Sequence, residues 1–201
     1  MNVLDYAPTE TDIVLANGNA PALEPYDPAG QEPEFLFEVI DGFIVRKTVG
    51  LKEVNIANRL NLFLAHFAEV HGLGRGLTEL GYDLPNGGPR RKPDVSFLSY
   101  DRWAKDVPFP DGDFLPVAPE LAVEVISPHE LARVSIKKVQ HYFRGGAQLV
   151  WVVYPHVEQV YVYSSPTQIR VLTRADDLIG DPIIPGFKLA LAELFPLVVQ
   201  P

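Results

Sequence analysis

Residues 120–127 read Glu-Leu-Ala-Val-Glu-Val-Ile-Ser, ELAVEVIS, and all but one of the six positions between the flanking acid and the serine are apolar. A run this short and this apolar is a strand covered on both faces of a sheet. Alternation puts Leu121, Val123 and Val125 on one face and Ala122, Glu124 and Ile126 on the other. Glu124 is then a carboxylate on a doubly covered strand, which is costly unless it is paired or metal-bound. Ser127-Pro128 supplies an N-cap and a first helical residue. The spacing predicts a helix from there to about Arg144, closed by Gly145-Gly146. A second apolar run, QLVWVVY at 148–154, follows directly.

The rest of the chain is read outward from this strand–helix–strand unit. FLFEVI and FIVRK flank Asp41-Gly42, a strong hairpin signal, and the folded domain is expected to start near Glu34. Residues 51–71 read as a helix stopped by Gly72 and Gly74. Strands are expected near 75–84 and 92–98, joined by the turn Pro85-Asn86-Gly87-Gly88. Residues 99–119 read as a Pro-rich loop with one helical turn at 101–105. Further strands are expected at 148–154, 157–163 and 168–173, then a helical turn in LALAELF. The order predicts a mixed α/β (α+β) fold, with a central mixed sheet flanked by helices and preceded by an N-terminal hairpin. Residues 1–33 are rich in Pro, Gly, Asn and acid and lack periodicity, so the domain is assigned to 34–201 and 1–33 to a flexible extension.

Composition narrows the chemistry. The 201 residues carry 17 Lys and Arg against 26 Asp and Glu, a formal charge of −9, and no cysteine. Absent cysteine excludes disulfides, thiolate catalysis and zinc sites built on Cys. No apolar run is long enough to span a membrane. The start, MNVLDYAPTETDIV, lacks the basic and apolar segments of a signal peptide, so a cytoplasmic location is expected. The acidic balance argues against nonspecific coating of nucleic acid, though not against a local metal-bearing cleft.

Three further charges stand where the pattern asks for apolar side chains. Asp94 follows Pro93 in RKPDVSFL; Pro93 cannot donate a ladder hydrogen bond, so Asp94 sits at a strand start. Lys138 lies seven residues after Leu131, four after Val134 and four before Tyr142, so it faces the sheet. Lys137 turns toward the polar side with Arg133, Gln140, His141 and Arg144. Glu53 shares the inward face of the 51–71 helix with Ala57, Leu60 and Leu64, and an acid there also suits the helix N-terminus. Carboxylates bind hard cations such as Mg2+ or Mn2+. A cation so held can activate water and stabilise charge on a phosphate, and a lysine can stabilise developing charge. Together these are the parts for metal-assisted phosphodiester hydrolysis.

The segments FEVIDGFIV, EVNIANRLNLFL, RKPDVSFL, ELAVEVISP, KVQHYFRGGAQLVWVV and IIPGFKLALAELF occur in this order over roughly 34–195. In this they resemble the Uma-two family of proposed endonucleases, within the PD-(D/E)XK nuclease superfamily. The resemblance implies a restriction endonuclease-like core and metal-dependent cleavage of DNA. It matches Asp94 and Glu124 to the two signature acids. The superfamily lysine two residues after the second acid is Ile126 here, and Lys138 matches the shifted lysine of this family. Glu53 falls where relatives carry His or Glu, which implies a third metal residue. The Val125 backbone carbonyl is implied as a further metal ligand, and Tyr142 is read as structural. Arg90, Arg91, Lys92 and Lys137 are the expected phosphate contacts, and a homodimer would suit double-strand cleavage. Relatives often carry an acid where this chain has Val134. That departure and the −9 charge keep a second reading open: a catalytically weakened nuclease-fold protein that binds nucleic acid or protein.

Other motifs carry less. The five histidines show no HExxH or His-x-His spacing and read as surface or helix-end residues. GLGRG at 72–76 is not a dinucleotide fingerprint, and no GxSxG is present. Trp151 in LVWVV reads as strand core.

Overall fold

The computed structural model describes residues 24–25, 27, 37–40, 43–46, 50–128, 130 and 132–195. They fall into two compact units, Met1–Thr48 and Val49–Pro201.

In the first unit, β1 (Glu24–Pro25), β2 (Phe37–Ile40) and β3 (Phe43–Arg46) form an antiparallel sheet in the order β1-β3-β2. β2 and β3 pair antiparallel from Phe37↔Arg46 to Ile40↔Phe43; the Asp41-Gly42 turn expected between them lies outside the described residues. β1 lies inside the stretch read as an extension. Apart from Asp27, the rest of 1–33 lies outside the described residues.

The second unit runs α1 (Leu51–Val70), β4 (Gly74–Thr78), β5 (Gly81–Asp83), β6 (Arg90–Arg91), β7 (Val95–Ser99), β8 (Phe114–Leu115), β9 (Leu121–Val125), α2 (Ala132–Gly145), β10 (Leu149–Tyr154), β11 (Gln159–Ser165), β12 (Gln168–Thr173), β13 (Asp177–Ile179), β14 (Lys188–Ala190) and α3 (Leu191–Leu194). Six strands form the central sheet in the order β12-β11-β10-β9-β7-β4. β9 and β10 are parallel, because α2 carries the chain back across the sheet between them. The other four pairings are antiparallel. This is the expected mixed sheet.

Its two faces bury different sets of residues. One face carries Val95, Phe97, Leu121, Val123, Val125, Leu149, Trp151 and Val153, packed by Ile56, Ala57, Leu60 and Leu64 of α1 and by the C-terminal Phe187, Leu191 and Leu194. The other carries Leu98, Ala122, Ile126, Val150 and Val152, packed by Val139 and Tyr142 of α2. The alternation read from ELAVEVIS is thus the division between two cores. Trp151 is fully buried, as expected.

The structure corrects several elements. The strand expected over 75–84 is broken: Glu79 has φ +51°, and the chain turns there from β4 into β5, which belongs to a small sheet with β6 and β8. α2 spans Ala132–Gly145 and does not include Pro128; the Glu130 N–H donates instead to the Ser127 carbonyl at 3.1 Å. β13 and β14 pair antiparallel in a segment where no strands were expected. Among the described residues no helix is long and apolar enough to cross a membrane.

Close approach of α1 to β4 depends on Gly76. A Cβ there would stand 2.8 Å from both Cα and N of Ala65, backbone atoms that cannot swing aside. Gly76→Ala is therefore expected to destabilise the fold by about 1–3 kcal/mol, through overpacking. Chemical denaturation measures it; a loss under about 0.5 kcal/mol would mean the helix slides freely on the strand.

Candidate active site

The edge of the sheet formed by the C-terminal ends of β9 and β10 gathers the expected charges. β7 runs antiparallel to β9 with Val95 opposite Val123, the last pair of that ladder. Asp94 lies in the bend immediately before β7, one residue beyond that pair. Pro93 has no N–H to extend the ladder. The Asp94 side chain continues it: Oδ2 accepts the Val125 N–H at 2.6 Å. Asp94 is only 6% exposed.

Glu124, at 1% exposure, faces α2. Lys138 Nζ donates to its Oε2 at 3.0 Å, and the Tyr142 hydroxyl donates to its Oε1 at 2.6 Å. Lys138 and Tyr142 are one helical turn apart and share the inward face, so one helix serves both oxygens. Lys138 is 6% exposed and lies 3.7 Å from Oε1 of Glu130 as well. Glu130, in the turn before α2, accepts the Ser135 hydroxyl at 2.9 Å.

Glu53 is buried in the first turn of α1, the helix on the opposite face of the sheet. Its Oε1 lies 3.1 Å from His156 Nε2, in the turn after β10. Its Oε2 occupies the space beside Gly50, where an added Cβ would come within 2.0 Å. The structure thus pairs Glu124 with Lys138 and Tyr142 on the α2 face, holds Asp94 against the N–H of the next residue, Val125, and gives Glu53 a separate partner. Among the described residues, no three of His, Asp and Glu cluster as a ready-made metal cage.

Several residues differ from expectation. Tyr142, read as structural, is a direct partner of Glu124; its spacing from Lys138 was the available signal. Glu130 and His156 carried none: Glu130 lies before the helical repeat of α2, and His156 meets Glu53 across 103 positions. Arg91 is not a surface contact: it is 1% exposed, and its Nη2 donates to Nδ1 of His141, itself buried. Alternation along β6 sends Arg91 inward, while Arg90 lies over the Phe114 ring at 4.6 Å and 3.8 Å from Asp83. Lys92 is half-buried, with its ammonium 5.1 Å from the same ring. Lys137 is also half-buried. Leu131 and His129 lie outside the described residues.

Glu120, at the far end of β9, shows what a structural acid looks like in this fold. It accepts the Ser99 N–H and hydroxyl and pairs with Arg102 Nε at 3.1 Å, in a network remote from Glu124.

Three tyrosines on the α2 side have phenols pushed upward. Burial raises Tyr82, whose hydroxyl shares a 2.8 Å hydrogen bond with Ser96. Burial, then neighbouring Tyr163, Tyr161 and Glu130, raises Tyr154 to about 12. Burial raises Tyr163 too. A phenol raised on folding favours the native state in its neutral form. Its contribution is intact below the ordinary value near 10 and is lost as pH rises through the folded value. The melting temperature is expected to fall between pH 10 and 12, and Tyr154→Phe to reduce that fall. Equal falls for wild type and variant would contradict the assignment.

The geometry can be set beside known proteins. The family model described as "Uma2: Putative restriction endonuclease" matches residues 21–192. No curated protein matches the chain. Among solved structures, one described as "a putative nuclease belonging to DUF820 from Anabaena variabilis ATCC 29413" superposes with a TM-score of 0.72 at 20% identity, covering 82% of this chain and 92% of that one. A match of this extent, over a sheet of this topology, shows that the chain belongs to the Uma2 family and has its restriction endonuclease-like fold.

Proposed function

We propose that the chain is an endodeoxyribonuclease dependent on Mg2+ or Mn2+, hydrolysing DNA phosphodiester bonds with Asp94, Glu124 and Lys138. The observation that carries this reading is that Asp94 holds the N–H of Val125, the residue next to a buried Glu124 that already holds Lys138. The donor set fits the ion. The two carboxylates offer four oxygens, each with more than one lone pair, so a hydrogen bond does not exhaust them. Mg2+ characteristically takes one or two carboxylates and keeps waters. The lack of a third clustered acid among the described residues is compatible with such a site.

A divalent cation there supplies charge neutralisation at the scissile phosphate and lowers the pKa of a water. The chain's own groups do the rest. Asp94, fixed by the Val125 N–H, and Glu124, fixed by Tyr142, hold their oxygens in place. Lys138 carries three N–H donors on a buried stem and directs charge at a phosphate oxygen or the attacking water. The Val125 carbonyl is proposed as a further ligand, and Glu53 with His156 as an outer member of the site. Arg90, Lys92 and Lys137 are proposed to meet phosphates, which positions a duplex without reading its sequence. The catalytic domain is taken as 34–201, and a homodimer as the form that cuts both strands.

A second reading has its own support. Asp94 and Glu124 both accept hydrogen bonds within the protein, and the chain carries a net charge of −9. These features suit a nuclease-fold protein that binds without cutting. Supercoiled plasmid incubated with Mg2+ or Mn2+, with and without chelator, separates the two. Chelator-sensitive nicking is expected; binding without any nicking over a range of both ions would favour the second reading.

A further inference from the structure

Lys138 stands between two carboxylates, and only one of them lies on the strand that carries the proposed site. Glu124 Oε2 is 3.0 Å away, and Glu130 Oε1 is 3.7 Å away. Glu130 comes from the turn before α2 and is held by the Ser135 hydroxyl at 2.9 Å, so the helix that carries Lys138 also aims this acid at it. Val134, one turn before Lys138, brings no charge.

This bears on a difficulty within the proposed reaction, on which the present inference rests. A cation gripped by Glu124 must share that carboxylate with the Lys138 ammonium, and two positive charges on one acid repel. We propose that Glu130 is a positioning residue that retains Lys138 when Glu124 turns to a cation. Lys138 then leans from Glu124 toward Glu130 and stays in the site without leaving its buried stem. Glu130 touches neither cation nor phosphate in this scheme and acts through Lys138 alone.

The first test needs no cation. If the two acids share Lys138, either can be neutralised at modest cost, but loss of both leaves a buried ammonium short of both carboxylates. E130Q is expected to lower Tm by about 2 °C alone and by about 6 °C or more in the E124Q background, a non-additive result for neighbours on one group. Adding K138M to the double variant should restore most of that loss, because the ammonium that the two acids neutralise is gone. Additive shifts, or no recovery with K138M, would overturn the proposal.

The second test uses Mn2+ alone as probe, followed by its electron paramagnetic resonance signal on titration with the full chain. E130Q is expected to weaken Mn2+ binding about fivefold or more with Lys138 present, and less than about twofold in K138M, where no lysine needs rehousing. Equal weakening in both backgrounds, or none in either, overturns the role of Glu130 while leaving the metal site standing. Wild-type protein that binds no Mn2+ overturns the metal reading, and this inference with it.

Discussion

Lys138→Met is expected to destabilise the protein by about 3–5 kcal/mol, because it leaves the buried Glu124 carboxylate without the ammonium 3.0 Å from it. Both members of this pair are almost wholly removed from water, so solvent screens little of the effect. The double variant E124Q/K138M removes both formal charges while Tyr142 can still donate to the glutamine oxygen. It should return to within about 1.5 kcal/mol of wild type, since apolar or neutral replacement of a whole buried pair is commonly near neutral. Urea denaturation of the four proteins gives the cycle directly. Independent, additive losses would mean that the pair does not act as a unit, and the packing of α2 on β9 would need another explanation.

Loss of cleavage is the second large effect, and the same double variant sharpens it. Asp94→Ala, Glu124→Gln and Lys138→Met are each expected to reduce plasmid nicking by about 10²–10³-fold or more, the range seen when a preorganised charge is removed from an active site. Residues that act together lose little more in combination, so E124Q/K138M should be about as inactive as either single variant. It should also be nearly as stable as wild type. A folded, inactive double variant separates chemistry from stability, which Lys138→Met alone cannot do. Nicking that survives in both Asp94→Ala and E124Q/K138M would place the active groups elsewhere.

The sequence made the main axis of the site readable because two periodicities met on it. The strand period of two put Glu124 on one face of ELAVEVIS, and the helix period put Lys138 on the inward stripe of α2; the structure joins them. The fold class followed from the same reasoning, since strand, crossover helix and apolar strand imply a parallel pair between covered faces. What stayed hidden depends on contacts between distant segments. Glu53 and His156 are 103 positions apart, and Arg91 and His141 are 50 apart. No local pattern announces either pair. Arg91 looked like a surface cation because its neighbours Arg90 and Lys92 are basic; pairing of the short β6 with β5 turned it inward instead. The single expected strand over 75–84 failed at Glu79, whose left-handed backbone conformation no residue preference foretells.

The cation site itself is tested most directly by crystals grown with Mn2+ and measured for anomalous scattering. The expected result is a peak between the carboxylates of Asp94 and Glu124, with the Lys138 ammonium drawn toward Glu130. An empty space between those two acids at saturating Mn2+, with Lys138 still bonded to Glu124, would contradict it.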